Sequence, residues 1–275
     1  MKKLLRPKYL PLYVLLCGVL GFVVRLLTLG SGADSLGLYA PKPLEWGLLW
    51  LITALCVLLI LIIITPLKKP GQYADHFSAS TSAAVGHGFA AAGLILTGFR
   101  ASGEPSTIYS LLMSVLALAA ALGMCLAAVA RYRGNRQPFW AYLVTALFLG
   151  LRTFDRCRGW STVPQTGLYL FPFLASACIM LALFQLASLQ ADYGNRRVSL
   201  FFSLFGVYLS MVALAHTDEV VFYMCMAVFL LTNLCSLRFF KKPPVTATAP
   251  EAAPEKATDP TEMSYDELMD WLKNG

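Results

Sequence analysis

The sequence predicts an all-α fold, a polytopic transmembrane helical bundle of about eight spans with both termini in the cytoplasm. Three observations carry this reading. The first is composition: 57% of the residues are hydrophobic and 13% charged, with a mean hydropathy of +0.64, where soluble domains carry about 25% charged residues. The second is segmentation, because a bilayer core takes roughly 20 apolar residues per helix and such runs stand at about 10–29, 45–65, 82–99, 106–130, 138–154, 167–189, 198–216 and 219–238. The third is the placement of Lys and Arg, which accumulate in alternate connecting segments as cytoplasmic loops do. No stretch shows the ten-residue alternation of a membrane β-barrel, and no connection is long enough to hold a soluble domain.

The first run follows MKKLLRPK and resembles the opening of a secretory signal. Arg25 late in the run, the lack of a clear A-x-A site and the spans that follow make it an uncleaved helix. Arg25 itself is expected to snorkel to the interface. The third run is rich in Gly, Ala and Ser. Ser82, Gly86 and Ala90 recur every four residues, as do Ala79, Ala83, His87 and Ala91, giving two flat faces on which helix backbones approach closely. That places it at the centre of the bundle against several neighbours, or makes it a helix that slides. His87, a third of the way in, is the ionisable group to examine for proton relay or ligand binding; the commoner arrangement is a neutral histidine bonded to a neighbouring helix.

The fifth run is short and ends in charge, so seven crossings is the alternative count. In LRTFDRCRGW, residues 151–160, Arg152, Arg156 and Arg158 surround Asp155 on the side that is otherwise balanced or acidic. A helix continuing through them sets Arg152 and Arg156 on one face. Guanidinium forks there suit an anionic small molecule or lipid head group, a carboxylate or a phosphate. The plainer reading pairs these arginines with Asp34, Glu104, Asp218 or Glu219 of neighbouring loops, or lets them snorkel. In a third reading, 138–154 dips into the membrane and returns, leaving the arginines cytoplasmic. Pro172 in the sixth run can kink it and free a backbone carbonyl. Gln185 and Asn233 can each tie two helices with a hydrogen bond.

Signatures of soluble chemistry are missing. There is no phosphate loop, no HExxH, no GxSxG and no carboxylate pair within a span, so catalysis is not favoured. Seven cysteines show no CxxC or Cys/His spacing, so no metal and no cofactor is expected, and nothing suggests a nucleic-acid partner. Met224, Cys225 and Met226 point in different directions on a helix and fill the core. YRGNR at 132–136 and YGNRR at 193–197 echo each other at turns, which Gly and Asn favour in any loop.

The bundle is expected to occupy 1–242. Residues 243–262 are a Pro, Ala and Thr-rich linker that cannot bury a core, and 263–275 form a short acidic amphipathic helix with a capping box at Ser264 and Glu267. Its apolar face, Leu268, Met269, Trp271 and Leu272, suits docking on a cytoplasmic protein partner. The tail from Pro243 onward carries seven acids and two bases, which disfavours binding to anionic lipid.

These features point to a plasma-membrane protein, expected in a bacterial inner membrane, that transports or senses a small solute. His87, Arg152, Asp155, Arg156 and Arg158 are the candidate solute-binding residues. The competing class is a scaffold that recruits a partner through the C-terminal helix. A third is a membrane enzyme acting on lipid-linked substrates at the outer arginines.

Overall fold

A computed structural model describes residues 9–31, 42–65, 79–102, 108–160, 166–217 and 219–236. All belong to the unit Met1–Phe240. The expected linker 243–262 and expected helix 263–275, with Leu268, Met269, Trp271 and Leu272, lie outside the described residues, as do Asp34, Glu104 and Asp218.

The described residues form eight α-helices and no strand: α1 Leu10–Ser31, α2 Pro43–Ile64, α3 Thr81–Ser102, α4 Ile108–Arg133, α5 Phe139–Trp160, α6 Thr166–Gln190, α7 Arg196–Ala213 and α8 Val220–Ser236. Six are long and apolar enough to cross a membrane by length and composition. α5 is set apart from these by the charge of its last turns, which hold Arg152, Asp155, Arg156 and Arg158, and α8 by its length of 17 residues. α5 is one continuous helix of 22 residues, which excludes the segment that dips in and returns.

Local chemistry fixes the boundaries. Pro43 opens α2 at its first turn, and Glu45 of that turn lies 3.9 Å from Lys42. Asn195 caps α7, its side chain accepting from the Arg197 N–H at 3.1 Å, as an N-cap should. Gly134 turns the chain between α4 and α5 at φ +75, a conformation glycine adopts without steric penalty.

Successive helices reverse direction. Gly86 and Gly93 of α3 meet Thr232 and Cys225 of α8, whereas Gly18 and Gly21 of α1 meet Met211 and Val212 of α7, so odd-numbered helices run one way and α8 the other. The bundle therefore has a first end, where α1, α3, α5 and α7 begin, and a second end, where they finish. Each of α3 to α7 packs on the next, and α8 packs back on α3, closing a ring of six helices; α1 and α2 join it mainly through α7.

α3 takes its place between α4 and α8 because its glycines admit a neighbouring backbone. A methyl group at Gly93 would sit 2.9 Å from Cys225 Cβ, and one at Gly86 would collide with Thr232. The expectation that α3 is the central helix is corrected by α7, which touches α1, α2, α6 and α8. The reason is a longer stripe of small residues: Ser199, Ser203, Gly206, Ser210 and Ala213 of α7 are all buried. On α1, Val14, Gly18, Gly21, Arg25 and Thr28 face inward at helical spacing, and Leu12, Leu16, Leu20 and Leu27 face outward, where lipid replaces water as the solvent.

Candidate functional site

At the second end, α5 and α8 meet through charge. Arg152 and Arg156 share a helix face, as their spacing requires, and both reach Glu219, which stands immediately before α8. The Glu219 N–H donates to Thr217 Oγ1 at 3.2 Å and its carbonyl accepts from the Tyr223 N–H at 3.2 Å, so the first turn of α8 holds the acid in place. One carboxylate oxygen, Oε2, pairs with Arg152, and the other, Oε1, lies 2.8 Å from Arg156 Nη2. The Arg152 side chain is 7% exposed and that of Glu219 9%, against 43% for Arg156. Arg152 is further fixed by the Phe222 ring, whose centroid lies 3.9 Å from its guanidinium carbon, a cation–π contact.

These three residues border a cavity of ≈ 110 Å³ whose walls include Thr153 of α5, Tyr169, Pro172 and Ser176 of α6, and Tyr223 of α8. The Tyr223 hydroxyl donates to the Pro172 carbonyl at 3.0 Å, so its oxygen accepts from Ser176 Oγ, also at 3.0 Å. Arg152 Nε and the Thr153 hydroxyl beside it are buried and have no hydrogen-bond partner among the described residues. Two guanidinium groups face one carboxylate, which leaves a net positive charge. An oxyanion is the chemical complement of that set. Asp155 and Arg158 are exposed and do not line the cavity.

Pro172 also explains Arg25. A proline has no N–H, so the carbonyl four residues before it loses its helical donor; that carbonyl belongs to Leu168, and Arg25 Nη2 donates to it at 2.6 Å. The Arg25 guanidinium lies 4.7 Å from the Phe171 ring centroid, and the residue is 2% exposed. Snorkelling is thereby corrected: α6 supplies a buried acceptor that lipid could not.

His87 belongs to a different place, near the first end. Its Nδ1–H donates to the Ala83 carbonyl at 2.7 Å, its Nε2 lies 2.7 Å from the Tyr142 hydroxyl, and its ring meets Phe229 edge-on at 5.0 Å. The Tyr142 hydroxyl also touches the Gln137 side chain, whose Oε1 accepts from Gln190 Nε2 at 2.8 Å. Nδ1 is thus tied back to its own helix, and Nε2 joins α3 to α5. Ten residues separate Tyr142 from Arg152 along α5, about 15 Å of helix, so the structure does not bring His87 and the arginines together. The two echoing turns do meet: Arg136 of one lies 2.8 Å from Asp192 beside the other and bonds the Gln190 carbonyl. Asn233, expected to tie two helices, instead bonds through Nδ2 to Phe229 O of its own helix at 3.1 Å.

Sequence reading names Glu219 only as one of four acids able to pair with the arginines, and it passes over Thr153, Ser176, Tyr223, Tyr142, Gln137 and Gln190. Besides the arginines, Pro172 is the signal in the sequence that pointed to the second end, through the carbonyl it frees. Among the described residues no three of His, Cys, Asp or Glu converge as a metal site requires, and all seven cysteines are free thiols. No protein-family model matches the chain, and no match was found among the curated proteins or the solved structures.

Proposed function

We propose that this membrane protein binds a small solute in the cavity at the second end and transports or senses it through the bundle. The observation that carries the reading is Arg152, an ionisable group buried against Glu219 and Phe222 in a bundle of apolar helices. Charge at such depth is costly and collects where a membrane protein handles its ligand. Arg152 and Arg156 are the residues given contact with the solute; Asp155 and Arg158 bias the potential at its approach; His87 secures α3 to α5 at the far end.

Orientation follows the charge rule. Arg131, Arg133, Arg136, Arg196 and Arg197 cluster at the first end, which makes that end and both termini cytoplasmic and turns the cavity outward. The membrane is the plasma membrane, of bacterial type. The test is a panel of small carboxylates, phosphates and neutral analogues of the same size, scored by thermal stabilisation of the purified protein and by uptake into proteoliposomes. Stabilisation by anions alone, lost in Arg156→Ala, supports the reading. No stabilisation by any member, together with loss of a co-purifying protein on deleting residues 264–273, replaces it with a scaffold.

A further inference from the structure

Glu219 occupies the guanidinium groups that a solute would need, and it does so unevenly. Oε2 serves Arg152, which is 7% exposed and pinned over Phe222, while Oε1 serves Arg156, which is 43% exposed. The Arg152 contact is sheltered, and breaking it would strand a buried charge. The Arg156 contact is screened by solvent and weak by comparison. An incoming oxyanion therefore meets one replaceable contact and one fixed contact in the same carboxylate.

The cavity supplies further limits on what arrives. Its charged side chains carry two positive groups and one negative group, so a single added negative charge brings them to neutrality. Arg152 Nε and Thr153 Oγ1 are buried behind its walls without an acceptor among the described residues, so the donor open to an arriving molecule is the half-exposed guanidinium of Arg156. A cavity of 150 Å³ holds benzene, so ≈ 110 Å³ accommodates about four or five heavy atoms, the size of an acetate or phosphate group. The remainder of a larger molecule would lie outside.

Resting on the reading of this cavity as the solute site, we infer that its ligand is a carboxylate- or phosphate-type monoanion that binds by taking Arg156 from Glu219. Glu219 is an internal competitor: it neutralises the arginines when the site is empty and yields one of them when the site fills. Glu219 stands at the head of α8, its backbone bonded to Thr217 and Tyr223, so the exchange takes place at the start of that helix. A solute carboxylate or phosphate and a lipid head group present the same oxyanion, and the exchange at Arg156 is the same for either.

The experiment uses the full chain in phosphatidylcholine nanodiscs with fluoroacetate as the probe, followed by ¹⁹F line broadening, and inorganic phosphate as competitor. Wild-type protein should broaden the line, and phosphate should reverse it. Glu219→Gln should bind fluoroacetate at least tenfold more tightly, and Arg156→Gln should bind it at least tenfold more weakly. Since Glu219→Gln could unfold, Glu219→Asp is measured beside it: one methylene shorter, it cannot span both arginines and should also tighten binding, with fluoroacetate raising the melting temperature of either variant more than that of wild type. Unchanged or weaker binding in folded Glu219→Asp, with wild-type binding intact, overturns the competition while leaving the solute site standing. Absence of broadening in wild type and all variants overturns both. In nanodiscs containing phosphatidylglycerol, loss of the fluoroacetate signal assigns the site to a head group, and its persistence assigns it to a free anion; each outcome supports the exchange.

Discussion

The guanidinium of Arg25 is hydrogen-bonded to the carbonyl of Leu168, the one acceptor in α6 that Pro172 deprives of its helical donor. A residue that would interrupt a helix in water here creates the socket for a charge from another helix. The two residues that make this possible lie far apart in sequence, and neither is explained without the other.

Substitution at both ends of that contact should therefore be non-additive. Arg25→Met should lower stability by about 1–3 kcal/mol, the cost of leaving a buried acceptor unmatched. Pro172→Ala restores the N–H that Leu168 lacks and displaces the guanidinium. In the double variant the two costs should fall short of their sum by about 1 kcal/mol or more, measured by denaturant titration in bicelles. Strict additivity would show that the Arg25–Leu168 bond contributes nothing.

The two arginines on Glu219 should differ in kind. Arg152→Gln breaks a buried pair and should cost about 3 kcal/mol or more, whereas Arg156→Gln removes a half-exposed one and should cost less than about 1 kcal/mol. Equal losses in unfolding titrations would contradict the difference in burial.

At the first end, Tyr142→Phe removes the hydroxyl between His87 and Gln137. Inter-helix hydrogen bonds in membranes average about 0.6 kcal/mol and reach about 1.7 kcal/mol, so a loss in that range is expected. His87→Phe combined with Tyr142→Phe should cost little more than the larger single loss. Solute uptake in Tyr142→Phe should stay near wild type, and a collapse of uptake in a folded variant would assign the first end a part in handling the solute.

Cys157 reports orientation. It is partly exposed at the second-end finish of α5, and the proposed topology turns it outward. A membrane-impermeant maleimide added to intact cells should label it, with Cys157→Ser as the control for the other six cysteines. Labelling only after the cytoplasmic face is opened would reverse the assignment of the two ends.

Much of the architecture is written in one dimension. Each apolar run becomes a helix with ends displaced by a few residues, because length and apolarity alone decide a membrane span. Even α5, short as an apolar run, continues as a helix through its charges. Partner choice is less legible. The small residues of α3 were visible, yet the stripe from Ser199 to Ala213 that makes α7 the busier helix is spread among Phe, Leu and Tyr and does not stand out. The cavity was half legible: the arginines were conspicuous because they break the charge rule, while Glu219, Ser176 and Tyr223 look ordinary in any loop or span. What joins them is the register of α5, α6 and α8, which depends on packing between segments dozens of residues apart.

Ring closure between α3 and α8 also sets an order of assembly. α3 leaves the ribosome well before its partner exists, and until α8 follows, Gly86 and Gly93 present an uncovered groove to lipid or to the insertion machinery. A nascent chain stopped after Thr217 would hold that groove open permanently and would be the form that membrane quality-control proteases recognise. α8 is thus the latch of biogenesis, and chains lacking it should turn over many times faster than chains that carry it in a pulse-chase experiment.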